Sequence, residues 1–190
     1  MNIATFASCC IDTALAVGAN DSVQWVARFS DGTAVRLRAI NAGDTDLERE
    51  FIMGLSAETR RLRFFGTIKE PTPAFLRQLT DIDHWHDVAF VALADLGGAE
   101  HAVGIARYSL SSDGTSCECA VAVADNWHRR GLASALMRHL IDIARARGIR
   151  TMHSVELASN YAMQRLADNL GFLPIADPDD GRQVLHCLQL

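Results

Sequence analysis

The sequence predicts an α+β domain with a mixed sheet of about six to seven strands and helices on both faces. Three observations carry this. Helix-period and strand-period segments interleave along the chain instead of segregating into halves. Three strand-like runs, at 87–96, 102–110 and 116–124, follow one another across tight turn signals, as an antiparallel meander does. A later strand–helix–strand unit ending at 157 needs a crossover, and hence parallel pairing.

The elements justify themselves in order. TAVRLRAI (33–40) alternates as a half-buried strand. Asp44 is placed to cap a helix whose Leu47, Phe51, Ile52 and Leu55 recur at the 3.6-residue period. Ser56, with Glu58 and Thr59, starts a second short helix through RRLRFF that Gly66 should end. Pro71 and Pro73 open a third, with Phe75, Leu76 and Leu79 on one face. In the meander, Gly97 and Gly98 mark the first turn and SSDGTS the second. A long helix runs from about Arg130 to Arg147 on a stripe of Leu132, Leu136, Leu140, Ile143 and Ala144, and Gly148 stops it. IRTMHSVEL (149–157) is a strand, 160–170 a helix ended by Gly171, and RQVLHCLQL (182–190) a last strand. No repeat or linker divides the chain, so 21–190 reads as one domain and 1–20 as a loosely attached N-terminal extension.

Composition narrows the function classes. At 190 residues, with 49% hydrophobic and 22% charged residues, the chain can bury a substantial core. Its longest apolar runs, such as VAFVALA (88–94), are too short to span a bilayer. The N-terminus holds no Lys or Arg before Arg28, so it lacks the basic region of a secretory signal, and a cytoplasmic, membrane-free protein is expected. Five cysteines with no C-x-x-C make a poor disulfide or zinc framework; Cys117 and Cys119 read as small apolar fillers on one strand face. His84 and His86 flank Trp85 without a third ligand at useful spacing, so no metal site is expected. His139 reads as solvated, and His101, His153 and His186 as having no partner. Net charge is −5, yet six arginines and one acid fall between Trp127 and Arg150. A basic segment in an acidic chain suits a focused anion site better than a nucleic-acid face, for which steep salt dependence of a negligible affinity is the expectation.

WHRRGLASAL (127–136) is where that anion site should lie. Gly131 allows close backbone approach, Ala133 and Ser134 keep the next turn uncluttered, and first-turn N–H groups lack intrahelical partners at the positive end of the dipole. Such a strand–loop–helix junction binds phosphate. The sequence is neither a P-loop nor a G-x-G-x-x-G fingerprint.

AVAVADNWHRRGLASALMRHLIDIARARGI resembles the acetyl-CoA-binding segment of the GNAT superfamily of N-acetyltransferases, Q/R-x-x-G-x-G/A between a Val/Ala-rich strand and an amphipathic helix. SNYAMQRLADNLGF is similar to the family's second cofactor segment, and SAETRRLRFFG and DIDHWHDVAFVAL resemble its branch of bacterial protein lysine acetyltransferase domains. The resemblance implies the GNAT fold and acetyl-CoA as cosubstrate. It implies that the backbone of Val121, Ala122 and Val123 bonds the pantetheine arm, and that the loop of His128, Arg129, Arg130, Gly131, Leu132, Ala133 and Ser134 cradles the pyrophosphate. Asn160 and Met163, of the N-x-x-M pattern, then face the pantetheine. His128 departs from the usual Gln or Arg, and Ala167 stands where many members carry a Tyr that protonates the leaving thiolate; Tyr161, beside the Asn, projects elsewhere.

Acetyl transfer to an amine needs a base, because an ammonium has no free lone pair. Glu118 is the lone charge in CECAVAV and shares a strand face with Ala120 and Ala122, opposite the Cys/Val face. The related branch places a catalytic Glu there. The expected function is acetyl transfer from acetyl-CoA to a primary amine, a protein lysine or a small molecule, by direct attack in a ternary complex; the rival reading is a catalytically silent acyl-CoA-binding regulatory module. The acceptor pocket should come from residues 44–85, and exposed strand edges leave room for a homodimer.

Overall fold

The structure, a computed structural model, describes residues 14–17, 23–29, 31–175 and 181–190. Residues 1–13 and 18–22, most of the expected N-terminal extension, lie outside the described residues, and Cys9 and Cys10 with them.

Among the described residues, nine strands form one sheet: β1 (Ala14–Val17), β2 (Val23–Arg28), β3 (Ala34–Ala39), β4 (Asp87–Asp95), β5 (Glu100–Leu110), β6 (Ser116–Val123), β7 (Thr151–Leu157), β8 (Leu173–Ile175) and β9 (Gln183–Gln189). Their spatial order is β1-β2-β3-β4-β5-β6-β7-β9-β8. Neighbours are antiparallel except β6 and β7, the parallel pair that the crossover requires. The α+β class with a mixed sheet therefore holds, with more strands than expected. β8 carries Pro174 and is exposed throughout, so no alternation announces it.

Among the described residues, five α-helices accompany the sheet: α1 (Thr45–Gly54), α2 (Ala57–Phe64), α3 (Pro73–Thr80), α4 (Leu132–Ala146) and α5 (Tyr161–Leu170). Two boundaries differ from the sequence reading. Asp44 does not cap α1 with its side chain. Its carboxylate accepts from the Asn41 backbone N–H at 2.8 Å and from Arg38 at 2.7 Å, while Asn41 accepts from Gly43 N–H, a reciprocal box one turn earlier. α2 ends at Phe65, in the left-handed region at φ 57, one residue before Gly66.

The sheet has two covered faces. On one, α1 presses Phe51 and Leu55 onto Ala89, Val91, Ile105 and Ala122. On the other, α4 and α5 cover Val88, Val103, Cys117, Cys119, Val121 and Met152. β4 lies under both layers, and residues 88–94 are all buried, which is why its sequence is a continuous apolar run. Cys117 and Cys119 are buried as expected, and burial pushes the Cys117 thiol up to about 12.

Two histidines correct the sequence reading. His139 is half-buried, with Trp25 and Phe90 ring centroids at 4.1 and 4.7 Å, and burial lowers its pKa. His186 is buried on β9 against the Glu156 carboxylate, which also accepts from Ser154 Oγ at 3.1 Å. Both partnerships come from strands far away in sequence, and local spacing does not contain them.

α4 is seated by its stripe of Leu132, Leu136, Leu140 and Ala144, each at most 1% exposed. Burying each of those leucines contributes about 1.5–3 kcal/mol relative to exposure. The stripe reaches the sheet closely because residue 104 on β5 is Gly. A Cβ there would lie 2.9 Å from Leu136 Cδ1 and 3.2 Å from Leu132 Cδ2. Gly104→Ala is accordingly expected to overpack this contact and to lower stability by about 1–3 kcal/mol, read as a fall in melting temperature. An unchanged Tm would show that α4 is not held by this contact.

Candidate active site

The site begins where two strands part. β6 and β7 pair from Ser116↔Thr151 to Glu118↔His153 and no further, although both strands continue. Ala124 N–H donates to Val103 O at 3.0 Å, which fixes the hydrogen-bonding phase of β6 against β5. By antiparallel alternation, the backbone groups of Ala120 and Ala122 point at β5, and those of Val121 and Val123 point into the gap beside β7. Of the three residues expected to bond a pantetheine arm, Val121 and Val123 present backbone groups to that gap. Ala122 spends its own on β5.

The chain leaves β6 through a single 3-10 turn, Asp125–Trp127, and enters α4 through His128–Gly131. Arg129 at φ 60 and Gly131 at φ 88 are both left-handed, which curls successive N–H groups toward one side. Gly131 adopts this φ without the Cβ clash that Arg129 bears. The first N–H bonded inside α4 is that of Ala135, to Gly131 O at 3.0 Å. Leu132, Ala133 and Ser134 are the first turn, with N–H groups that the helix itself does not use. No side chain caps them. The loop thus has the geometry of a cradle for a phosphate-sized anion at a helix N-terminus.

The charged residues of that loop are placed otherwise than expected. Arg130 stacks on Trp127, 4.3 Å from the ring centroid, donates to Thr33 Oγ1 at 3.0 Å and pairs with the Asp31 carboxylate. It ties the cradle to the β2–β3 turn, and its charge is already matched. His128 Nε2 lies 2.9 Å from Val123 O, so the imidazole donates there. Its hydrogen bond pins the loop to the end of β6. Arg129 is exposed and makes no ion pair among the described residues.

Asn160 is buried at the N-terminus of α5, where its Oδ1 caps Met163 N–H at 3.3 Å and leaves its amide NH2 as the remaining donor. Met163 is half-buried against the core. Ala167 is packed inside at 4% exposure, and Tyr161 is 65% exposed.

Glu118 is exposed on the face of α1, at the mouth of a cleft of about 230 Å³. The cleft is lined among others by Arg63, Gln78, Asp87, Arg107 and Ala120. Ser109 stands opposite Glu118 on β5, and Arg107 opposite Ala120. His153 is directly paired with Glu118 on β7, and its Nδ1 is buried with no hydrogen-bond partner among the described residues. The expected 44–85 region does wall this cleft, through Arg63 and Gln78. Arg107 was missed, although it is the only charge in AVGIARYSL, the same signal that singled out Glu118. Among the described residues, no cluster of three His, Cys, Asp or Glu is placed to hold a metal ion, and no helix is long and apolar enough to cross a membrane.

A phosphate-sized cradle at a helix N-terminus, an open strand gap beside it and a carboxylate at a cleft mouth thus lie together at one end of β6. Residues 56–172 match the model of the acetyltransferase (GNAT) family. The chain is 47% identical over 175 residues to the acetyltransferase PA5475 of Pseudomonas aeruginosa, covering 92% of this chain and 94% of that one. It is 30% identical over 136 residues to the acetyltransferase Pat of Mycolicibacterium smegmatis, spanning 71% of this chain but 40% of that protein. Among solved structures, the GNAT domain of S. lividans PAT superposes with a TM-score of 0.79 at 25% identity, covering 88% of this chain and 97% of that one. The chain therefore belongs to the acetyltransferase (GNAT) family and is an N-acetyltransferase, in a family that uses acetyl-CoA as cosubstrate.

The Arg130 tether is pH-sensitive with a definite sign. Hydrogen bonds from Thr33, and then Arg130, hold the Asp31 carboxyl down at about 2, against an ordinary 3.8. A carboxyl lowered in the folded state stabilises fully above its ordinary pKa, and the contribution disappears as pH falls through the folded value. Asp31→Asn should melt below the wild type at about pH 5, with the gap closing by about pH 2. A gap that is constant across this range would show that the pair does not hold the loop.

Proposed function

We propose that this acetyltransferase transfers acetyl from acetyl-CoA directly to a primary amine, of a protein lysine or a small molecule, within a ternary complex. The observation that carries the reading is the placement of Glu118: it stands at the last residue of β6 still paired with β7, between the open strand gap and the acceptor cleft.

The residues present fit the two halves of acetyl-CoA. The first-turn N–H groups of Leu132 to Ser134, with the curled loop at Arg129 and Gly131, suit the pyrophosphate. The backbone groups of Val121 and the N–H of Val123 face the gap for the pantetheine amides, Val123 O being held by His128, and the Asn160 amide can donate to the arm. Arg129 is the loop charge left to meet the phosphates.

Glu118 takes one proton from the incoming ammonium and frees the nitrogen lone pair. The N–C bond forms as the thioester C–S bond breaks, and the sulfur takes the electron pair. Backbone N–H donors near Val121 lie where they stabilise charge on the thioester oxygen. The second proton left on nitrogen neutralises the departing thiolate, directly or through water, so no dedicated acid is required at Ala167. Holding both reactants in one frame supplies much of the acceleration. A net charge of −5 favours approach of a cationic acceptor.

The test is CoA release over a panel of amines and lysine peptides, for the wild type and Glu118→Gln. Loss of the base is expected to lower kcat by about 10²–10⁴-fold while acetyl-CoA affinity, read by calorimetry, is unchanged. Turnover unaffected by Glu118→Gln would remove Glu118 from the chemistry, and tight acetyl-CoA binding without turnover on any acceptor would favour a silent binding module.

A further inference from the structure

The acceptor cleft has an inner end that amine transfer does not use. Arg107 reaches it from β5 with its side chain 16% exposed. It donates to Leu79 O at 3.2 Å and meets both oxygens of Glu48 at 3.3 and 3.4 Å. Its Nε–H is buried and has no partner among the described residues. Arg63, from α2, lines the same cleft and has no hydrogen-bond or ion-pair partner among the described residues; its guanidinium lies 4.9 Å from the Phe64 ring. Glu48, buried at 4% exposure, gives both oxygens to Arg107. Arg63 and Arg107 thus share the buried Glu48, while Glu118 also acts on Arg63 and Asp87 on Arg107.

Arg63 is half-buried, and a guanidinium with no hydrogen-bonded counter-ion in a cleft is a ready partner for a ligand carboxylate. Desolvation and then the neighbouring Arg107 cation bring the Arg63 pKa down to about 10, against the pull of Glu48 and Glu118. Burial also pushes the Glu48 carboxyl up, against the pull of Arg107 and Arg63, so its charge is not surplus. At the mouth, Glu118 and Asp87 are exposed acids. The cleft therefore offers an unpaired guanidinium and an exposed carboxylate to one small ligand.

Resting on the amine-transfer reading, we propose that the acceptor is a small amine bearing a carboxylate, of the amino-acid kind, with its carboxylate on Arg63 and its ammonium beside Glu118. A guanidinium presents paired donors that match a planar carboxylate. A phosphate would set a second negative charge against Glu118 and Asp87. The cleft, at about 230 Å³, lies below the roughly 300–1,000 Å³ of sites for drug-sized ligands, which suits a small molecule.

Two measurements separate this proposal from the one beneath it. The first compares kcat/KM for amino acids with their carboxamides and decarboxylated amines, in the wild type and in Arg63→Gln. Acids are expected to be preferred by about tenfold or more, chiefly through KM. Arg63→Gln should erase that preference, and Arg63→Lys should keep part of it. The second is a thermal shift with succinate or glutarate against chloride at equal ionic strength, which needs no turnover. Stabilisation of the wild type but not of Arg63→Gln is expected. Amines acetylated equally well as acids and amides would overturn the carboxylate site and leave amine transfer standing. Arg63-dependent succinate stabilisation without turnover on any amine would support the anion site while overturning the transfer reading. No succinate effect beyond chloride would overturn the anion site on binding grounds alone.

Discussion

The structure depends on one constraint: β6 and β7 run parallel, pair for three residues and then separate. Continued pairing would consume the backbone groups of Val121 and Val123 in the sheet. Separation leaves them on an open edge in the middle of a nine-stranded sheet, where an unsatisfied strand would ordinarily be a liability. That edge is tolerable because water or a ligand amide can complete it. The same point in the chain is where β6 hands over to the cradle, so gap and cradle are one continuous feature. His128 reinforces the junction by donating across it to Val123 O.

The cradle is held from two directions. Below, α4 sinks onto β5 because Gly104 leaves room for Leu132 and Leu136. To the side, Arg130 is clamped between Trp127, Thr33 and Asp31. Its stacked, paired geometry gives it a structural task, and Lys would lack both the planar face and the fork. Fixing the loop in advance lowers the ordering cost that a flexible phosphate loop would pay on binding.

Much of this was legible in the sequence. Short apolar runs between turn residues located β4, β5 and β6, and the apolar stripe of α4 located both the helix and its buried face. The Gly131-x-Ala133 spacing marked the cradle because a left-handed residue at a helix start leaves a residue-level trace. Contacts made across the sheet left no such trace. His139 packs on Trp25 and Phe90, and His186 on Glu156, through strands distant in sequence. The tether of Arg130 left no local trace either, because its partners, Asp31 and Thr33, lie 99 and 97 residues away. Arg63 sits in a helix dense with arginines, where nothing distinguishes the one that lines the cleft; only the register of Arg107 with Ala120 brings a cleft to it.

The central claim is that acetyl-CoA completes the open edge of β6 and fills the cradle of α4. Backbone amide hydrogen exchange, with and without acetyl-CoA, measures this residue by residue. The account predicts new protection at Val121, Val123, Leu132, Ala133 and Ser134, with little change at Ala120 and Ala122, whose N–H groups are already bonded to β5. New protection confined to Ala120 and Ala122, or binding that leaves the 132–134 amides as exposed as before, would contradict it.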